Sequence, residues 1–305
     1  MKDFVKLLMA KNSWRLYNSI HTSIEIDGIR IPIVSGTGLN LVDSVRRDDD
    51  VKITMQKVLK FKEGIVIDVG ANVGVALLCL LSIDRKRKYV GFEPNISSAY
   101  VIEQIIKLNS LSDHYIIPVG LSDKTEIASF KYNYSTDVSG TVKEGFRPNG
   151  MYCYEKKVIL QRGDELIGDQ KFNNISMIKI DVEGAEVEVL RGLRNSIKKY
   201  RPFVIFESSG YEHIEKGTYN ARYFGDMSQS EKRDIIKHRK KTKYDIDKEF
   251  TTYGYNIIKI KDDGMFEIVD SVDQPSDRAN QNYLAVPKEL FARFAEQNLV
   301  HVENR

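Results

Sequence analysis

From Ile65 to Glu207 the chain keeps one rhythm, in which short apolar runs alternate with longer segments of helical character. The first run, "IVIDV" at 65–69, shows no polar alternation, which marks a strand covered on both faces, because a strand with one wet face alternates. The pattern predicts a helix over 74–82, a strand over 88–93, a helix over 97–109 and a strand over 114–119. After a variable stretch carrying Tyr132, Tyr134, Phe146, Tyr152 and Tyr154 among Gly and Ser, it resumes with a strand at 175–181, a helix from about Ala185 to Ser196 and a strand at 203–207. Such alternation is expected to give an α/β fold, a mostly parallel sheet with helices on both faces. Near the C-terminus "YNIIKI", "MFEIV" and "NYLAV" are strand-like with no helix between them, so antiparallel strands should close the sheet.

The flanks are read separately. Residues 22–34, "TSIEIDGIRIPIV", alternate on either side of Asp27-Gly28 and predict an N-terminal β-hairpin. "DDDVKITMQKVLKFKEG" places acids at the front and Gly64 at the end of a short helix. The expected organisation is therefore a hairpin and helix extension at 1–60, a main domain at 61–290 and a tail at 291–305. Within the main domain, 211–250 is charged and contains "KHRKKTK", which reads as a solvated helical insertion; the alternative is a surface for an anionic acceptor or a membrane headgroup.

A chain of 305 residues at 42% hydrophobic can bury a substantial core, and a net charge of +3 sets up no field that calls for nucleic acid. Cys79 and Cys153 stand apart without metal-ligand spacing. Charges at Lys2, Asp3, Lys6 and Lys11 interrupt any signal-peptide run, and no apolar stretch approaches membrane-spanning length. The expectation is a cytoplasmic, soluble protein.

The turn after the first strand, "DVGANVG" at 68–74, carries the chemistry. A dinucleotide fingerprint needs G-x-G-x-x-G, and here Asn72 stands where its second glycine would be. Asp68 before the turn would repel a pyrophosphate and attract a cationic ligand such as S-adenosylmethionine, although a residue here can also simply hold the loop. A branched side chain at Gly70 should block that ligand and leave the fold largely intact. Glu93 closes the next strand some twenty residues on, where an acid can bind both hydroxyls of a ribose.

"DVGANVG" at 68–74, "FEPN" at 92–95, "GLSDK" at 120–124, "IKIDVEGAEVEVLRG" at 178–192 and "NYLAVP" at 282–287 occur in the order seen in FkbM-type methyltransferases, and the chain resembles that family from about residue 60 to 210. The resemblance implies a class I methyltransferase (Rossmann-like) fold, S-adenosyl-L-methionine as cofactor, and O-methylation of a sugar, glycolipid or related natural product. It would set Asp68, Gly70, Asn72 and Gly74 at the methionine end, Glu93 at the ribose, and Ser122 and Asp123 at the adenine, the last pair reading equally as a surface turn.

Acceptor chemistry is sought at the other strand ends. An aliphatic hydroxyl is a poor nucleophile and gains from a base, for which Asp181, Glu183, Glu207 and His213 are the candidates. Glu183 also suits a helix start, and His213 also suits an idle loop position. Asp181, Glu183 and Glu207 together could ligate magnesium, but their spacing does not require it and no metal is assigned. The aromatic stretch at 132–154 is expected mainly to pack a hairpin, with one or two rings left for a small-molecule or glycan acceptor. The competing readings are an inactive methyltransferase-like binding protein and a nicotinamide oxidoreductase.

Overall fold

The computed structural model describes residues 21–34, 41, 45, 48–134, 137, 139–148, 150–169, 174–217, 227–272 and 280–298. The signal-peptide reading of the first residues, and the parts of the expected insertion and tail at 218–226 and 299–305, lie outside them.

Strands β1 (His21–Ile26) and β2 (Ile29–Val34) pair antiparallel as the hairpin predicted at Asp27-Gly28. The hairpin is bound to the body of the protein, since Ile24, Ile26, Ile31 and Ile33 belong to its main apolar core. Helix α1 (Asp49–Phe61) follows, with Asp49 and Asp50 in its first turn and Lys60 in its last, charges that complement the helix dipole. Then come β3 (Ile65–Val69), α2 (Val75–Ile83), β4 (Tyr89–Phe92), α3 (Ile96–Leu108) and β5 (His114–Ile117). Helix α2 is apolar on every side and buried from Ala76 to Ser82, because sheet, hairpin and neighbouring helices enclose it.

The stretch after β5 departs from expectation. β6 (Gly120–Ser122), β7 (Glu126–Tyr132) and β8 (Tyr154–Arg162) form a separate three-stranded sheet in the order β6-β8-β7. Tyr132 pairs with Tyr154 across β7 and β8, with ring centroids 5.6 Å apart, as the packing reading of those aromatics anticipated. The expected hairpin did not extend to β6, which joins β8 in parallel as a third strand.

Helix α4 (Gly163–Asp169) leads to β9 (Ile175–Ile180), and the helix expected after it is split into α5 (Glu186–Gly192) and α6 (Arg194–Tyr200) at Leu193. β10 (Phe203–Ser209), α7 (Glu212–Glu215), α8 (Gln229–Tyr253), β11 (Tyr255–Ile260), β12 (Phe266–Ile268), β13 (Asn280–Pro287) and α9 (Lys288–Asn298) complete the chain. The main sheet runs β12-β11-β13-β10-β9-β3-β4-β5; β13 lies antiparallel between β10 and β11, and β12 is antiparallel to β11. Residues 65, 67 and 69 of β3 join the apolar cluster on one face and Val66 joins the cluster on the other, so both faces are covered. This is the α/β architecture expected from the sequence, with its mostly parallel sheet and antiparallel C-terminal strands.

Two expectations about the flanks are corrected. α8 is not a solvated helix: Ile235, Arg239, Lys243, Ile246, Phe250 and Tyr253 are buried at helical spacing. The last three pack in the core on one face of the sheet. The charge run hid this stripe because two of its buried members are themselves basic. Likewise α9, in the expected tail, places Phe294 in the core beside Phe61 and Phe203.

Helix α8 begins with a reciprocal capping box, the Ser228 hydroxyl accepting from the Glu231 amide at 3.2 Å while Glu231 accepts from the Ser228 amide at 3.0 Å. Ser228→Ala should therefore lower the unfolding free energy by about 1 kcal/mol. Urea denaturation measures it, and an unchanged midpoint would show that α8 does not depend on this cap.

Candidate active site

The carboxyl ends of β3, β4, β9 and β10 border a cavity of about 350 Å³. Its polar lining includes Asp68, Glu93, Lys179, Asp181, Glu183 and Glu207. Ligands of open α/β sheets sit at this edge, because the strands end there and the helix N-termini point toward it.

Asp68 is fully buried, and one of its oxygens accepts a 2.8 Å hydrogen bond from the Tyr89 hydroxyl. The other has no hydrogen-bond partner among the described residues. Burial holds this carboxyl above its ordinary range despite Lys179 and Tyr89, so a cationic or donating ligand group is what it lacks. Glu93 closes β4 and accepts from the Asn95 amide at 2.7 Å and the Asn72 amide at 2.9 Å. These bonds join the end of β4 to the glycine turn. Burial pushes the Glu93 carboxyl up to about 7 against both amides.

Gly70 holds a backbone φ of +80°, and a β-carbon there would stand 1.8 Å from the Asp181 carbonyl oxygen. The glycine therefore serves the crossing of β3 and β9 in addition to the cavity. This revises the expectation that a side chain at residue 70 would disturb ligand binding alone. Asn72 is also left-handed, with φ +45°, and its side-chain amide donates to the Asp137 carbonyl at 3.2 Å. Gly74 caps α2 and stands behind the cavity wall, close to Ile102.

Ser122 and Asp123, expected at the adenine or equally in a surface turn, stand at the end of β6. Gly120, Leu121, Pro94 and Phe130 line the cavity, whereas Ser122 and Asp123 do not. Ser122 has its carbonyl pressed against Gly192 of α5. His213 is also outside the lining; it lies half-buried on α7, its imidazole pushed below its ordinary range by burial and by Arg239.

Asp181, Glu183 and Glu207 do converge, each offering an oxygen within 4.8 Å of the others. β9 delivers the first two and β10 the third, from neighbouring parallel strands. Lys179 lies two residues before Asp181 and bonds its carboxylate at 2.9 Å. Burial would raise the Asp181 carboxyl, but the Lys179 ammonium wins and holds it below its ordinary range. Glu207 goes the other way: burial and the charges of Asp181 and Glu183 lift it well above its ordinary range. The two carboxyl groups share a hydrogen bond, and they titrate as a pair, with Asp181 drawn down and Glu207 drawn up. Glu183, at φ +52°, pairs with the Arg147 guanidinium, and burial still holds its carboxyl raised. Lys179 and Arg147 thus supply compensating charge that a divalent ion would otherwise bring.

The turn after β9 also docks the β7–β8 connection. A β-carbon at Gly184 would stand 2.5 Å from the Phe146 ring, so only glycine leaves room for it. The Thr141 hydroxyl donates to the Glu183 carbonyl at 2.6 Å. Lys179 was legible as a lone charge in the apolar run "ISMIKI", while Arg147 and Asp137 stand in a connection with no motif to single them out.

The lining suits S-adenosylmethionine: Asp68 would offer an unsatisfied buried oxygen to its cationic end, Glu93 a carboxylate to its hydroxyls, and Leu121 and Phe130 apolar faces to its base. The sequence model described as Methyltransferase FkbM domain matches residues 68–255. Among curated proteins, the hexuronic acid methyltransferase AglP of Haloferax volcanii is 27% identical over 158 residues, 48% of this chain and 56% of that protein. Methyltransferase sdnD of Sordaria araneosa is 28% identical over 159 residues, 42% of this chain and 60% of that protein. The chain thus matches little more than half the length of these relatives. A crystal structure of methyltransferase FkbM from Methylobacillus flagellatus KT is 14% identical with a TM-score of 0.42, covering 73% of this chain and 43% of that one. Among the described residues no helix is long and apolar enough to cross a membrane. With the family match spanning residues 68–255, more than half of the chain, the protein belongs to the FkbM methyltransferase family, whose cofactor, S-adenosylmethionine, the strand-end residues suit.

Proposed function

We propose that the protein transfers a methyl group to a hydroxyl oxygen of a sugar, glycolipid or related natural product. The observation that carries this reading is the carboxylate cluster at the ends of β9 and β10, where three acids converge and the Lys179 ammonium is bonded to one of them. When bound, S-adenosylmethionine supplies a methyl on a sulfonium, which leaves as a neutral thioether once the methyl has moved. Asp181, kept anionic by Lys179, takes the hydroxyl proton as the oxygen bonds to the methyl carbon. Glu207 spreads the charge through its shared hydrogen bond, and Glu183 with Arg147 walls the acceptor side. Orientation of the acceptor oxygen supplies much of the remaining acceleration. The name of the Haloferax volcanii relative supports a sugar acceptor. The test is tritiated methyl transfer to a panel of sugar and lipid acceptors, and an absence of product with all of them would count against the reading.

Glu93 gives a separate expectation about the cofactor. Glu93→Ala should weaken S-adenosylhomocysteine binding by about 1.5–3 kcal/mol, the worth of hydrogen bonds to a charged group. Its ionised form accepts hydroxyl protons better, so wild-type affinity should rise as pH passes upward through about 7. The opposite sign applies to stability. A carboxyl raised in the folded state contributes stability that is full below its unfolded value, about 4.5, and is lost as pH climbs through 7. Calorimetric titration between pH 6 and 8 reads the affinity; a flat profile identical in Glu93→Gln would remove Glu93 from the ribose site.

A further inference from the structure

We infer that the acceptor is an acidic sugar whose carboxylate is held in a second cavity, of about 250 Å³, lined by Lys131, Lys143, Arg147, Tyr152 and Tyr154, with the Arg147–Glu183 pair standing between it and the first. This rests on the O-methylation reading and names the substrate class for it. The same chain segment walls both cavities: Gly140 and Val142 line the first, Lys143 and Arg147 the second. Arg147 joins them, because its guanidinium binds Glu183 of the carboxylate cluster while it lines the second cavity.

Arg147 itself points to an anion. Its side chain is nine-tenths buried, its guanidinium is held by Glu183 through one terminal nitrogen, and it lines the second cavity. A planar carboxylate is the partner a guanidinium accepts best. Lys131 stands opposite Glu155 across β7 and β8 with no carboxylate within 4 Å of its ammonium among the described residues, whereas Lys143 is paired with Glu188. Glu144 and Glu155 also line the cavity. They would repel a dianion more than a monoanion, which favours a carboxylate over a phosphate.

Size and surface agree with a sugar. Drug-sized ligands fill about 300–1,000 Å³, so this cavity suits one head group of a larger acceptor. Tyr152 is fixed through its hydroxyl to the Ser139 carbonyl at 2.7 Å, and Tyr154 presents an exposed ring beside Tyr132. Rings so placed can cover a sugar face.

The test is isothermal titration of the full chain, saturated with S-adenosylhomocysteine, with p-nitrophenyl β-D-glucuronide and with p-nitrophenyl β-D-glucoside. The two probes differ in the carboxylate. The glucuronide should bind about tenfold or more tightly than the glucoside. Lys131→Gln and Arg147→Lys, the second keeping the charge but losing the fork, should each reduce that preference while S-adenosylhomocysteine affinity stays at the wild-type value. Equal affinity for both sugars, binding of neither by protein that binds S-adenosylhomocysteine, or a preference unchanged in both variants would overturn the inference. Failure of the wild-type protein to bind S-adenosylhomocysteine would overturn the methyltransferase reading and this inference with it.

Discussion

Gly70→Val is expected to abolish cofactor binding and to destabilise the protein by roughly 3–6 kcal/mol, the combined cost of overpacking and of a left-handed backbone at a branched residue. The contact responsible is backbone on backbone: a β-carbon at residue 70 would meet the Asp181 carbonyl oxygen at 1.8 Å, and that oxygen cannot rotate away as a side chain would. Asp181 is bound back to β3 through its amide, 3.0 Å from the Val69 carbonyl, so moving it opens the β3–β9 pairing. The same displacement would carry the Asp181 carboxylate away from Lys179. Denaturant unfolding and calorimetry with S-adenosylhomocysteine check the two effects. A variant with wild-type stability would show that the strand ends yield locally, and wild-type affinity would place the cofactor elsewhere.

The same glycine shows how the sequence could be read and where reading stopped. "DVGANVG" located the turn, because strand, acid and glycine each have a local cause. Its closest neighbour, Asp181, is more than a hundred residues away, and sequence spacing alone does not reveal that contact. The strand–helix alternation was legible for a similar reason: each buried strand shows as an apolar run by itself. Helix α8 was misread because burial of Arg239 depends on distant acceptors, the Gly210 carbonyl at 2.6 Å and the Phe146 carbonyl at 3.3 Å. Asp181, Glu183 and Glu207 were legible as acids at strand ends, and the register of β9 with β10 brings them together. Gly120 and Leu121, and not Ser122 and Asp123, line the cavity, because a motif fixes order along the chain while the side of β6 that meets the cavity is set by packing against α5.

Asp181→Asn is the second large effect. The amide keeps the size of the side chain and can still bond to its neighbours, but it accepts no proton, so turnover should fall by roughly 10²–10⁴-fold. Affinity for S-adenosylhomocysteine should change little. Removing the anion also leaves the buried Lys179 ammonium with less compensation, and this separates a chemical role from a structural one. Lys179→Met with Asp181 intact should slow turnover less and raise the pH at which the enzyme becomes active, because Asp181 loses the cation that holds its carboxyl low. Glu183→Gln should cost less than Asp181→Asn, since Glu183 is already engaged by Arg147. Near-wild-type turnover in Asp181→Asn would remove it as the base and move that role to Glu207.

The central claim is transfer to oxygen at the β9–β10 carboxylates, and the most direct measurement locates the methyl group in the product. The purified protein would be incubated with methyl-labelled S-adenosylmethionine and an acceptor panel, and the product bond assigned by nuclear magnetic resonance. The account predicts a methyl ether on a sugar or lipid hydroxyl, formed by the wild type and reduced about 10²-fold or more by Asp181→Asn. A methyl found on nitrogen or carbon, or a methyl ether formed equally fast by both proteins, would contradict it.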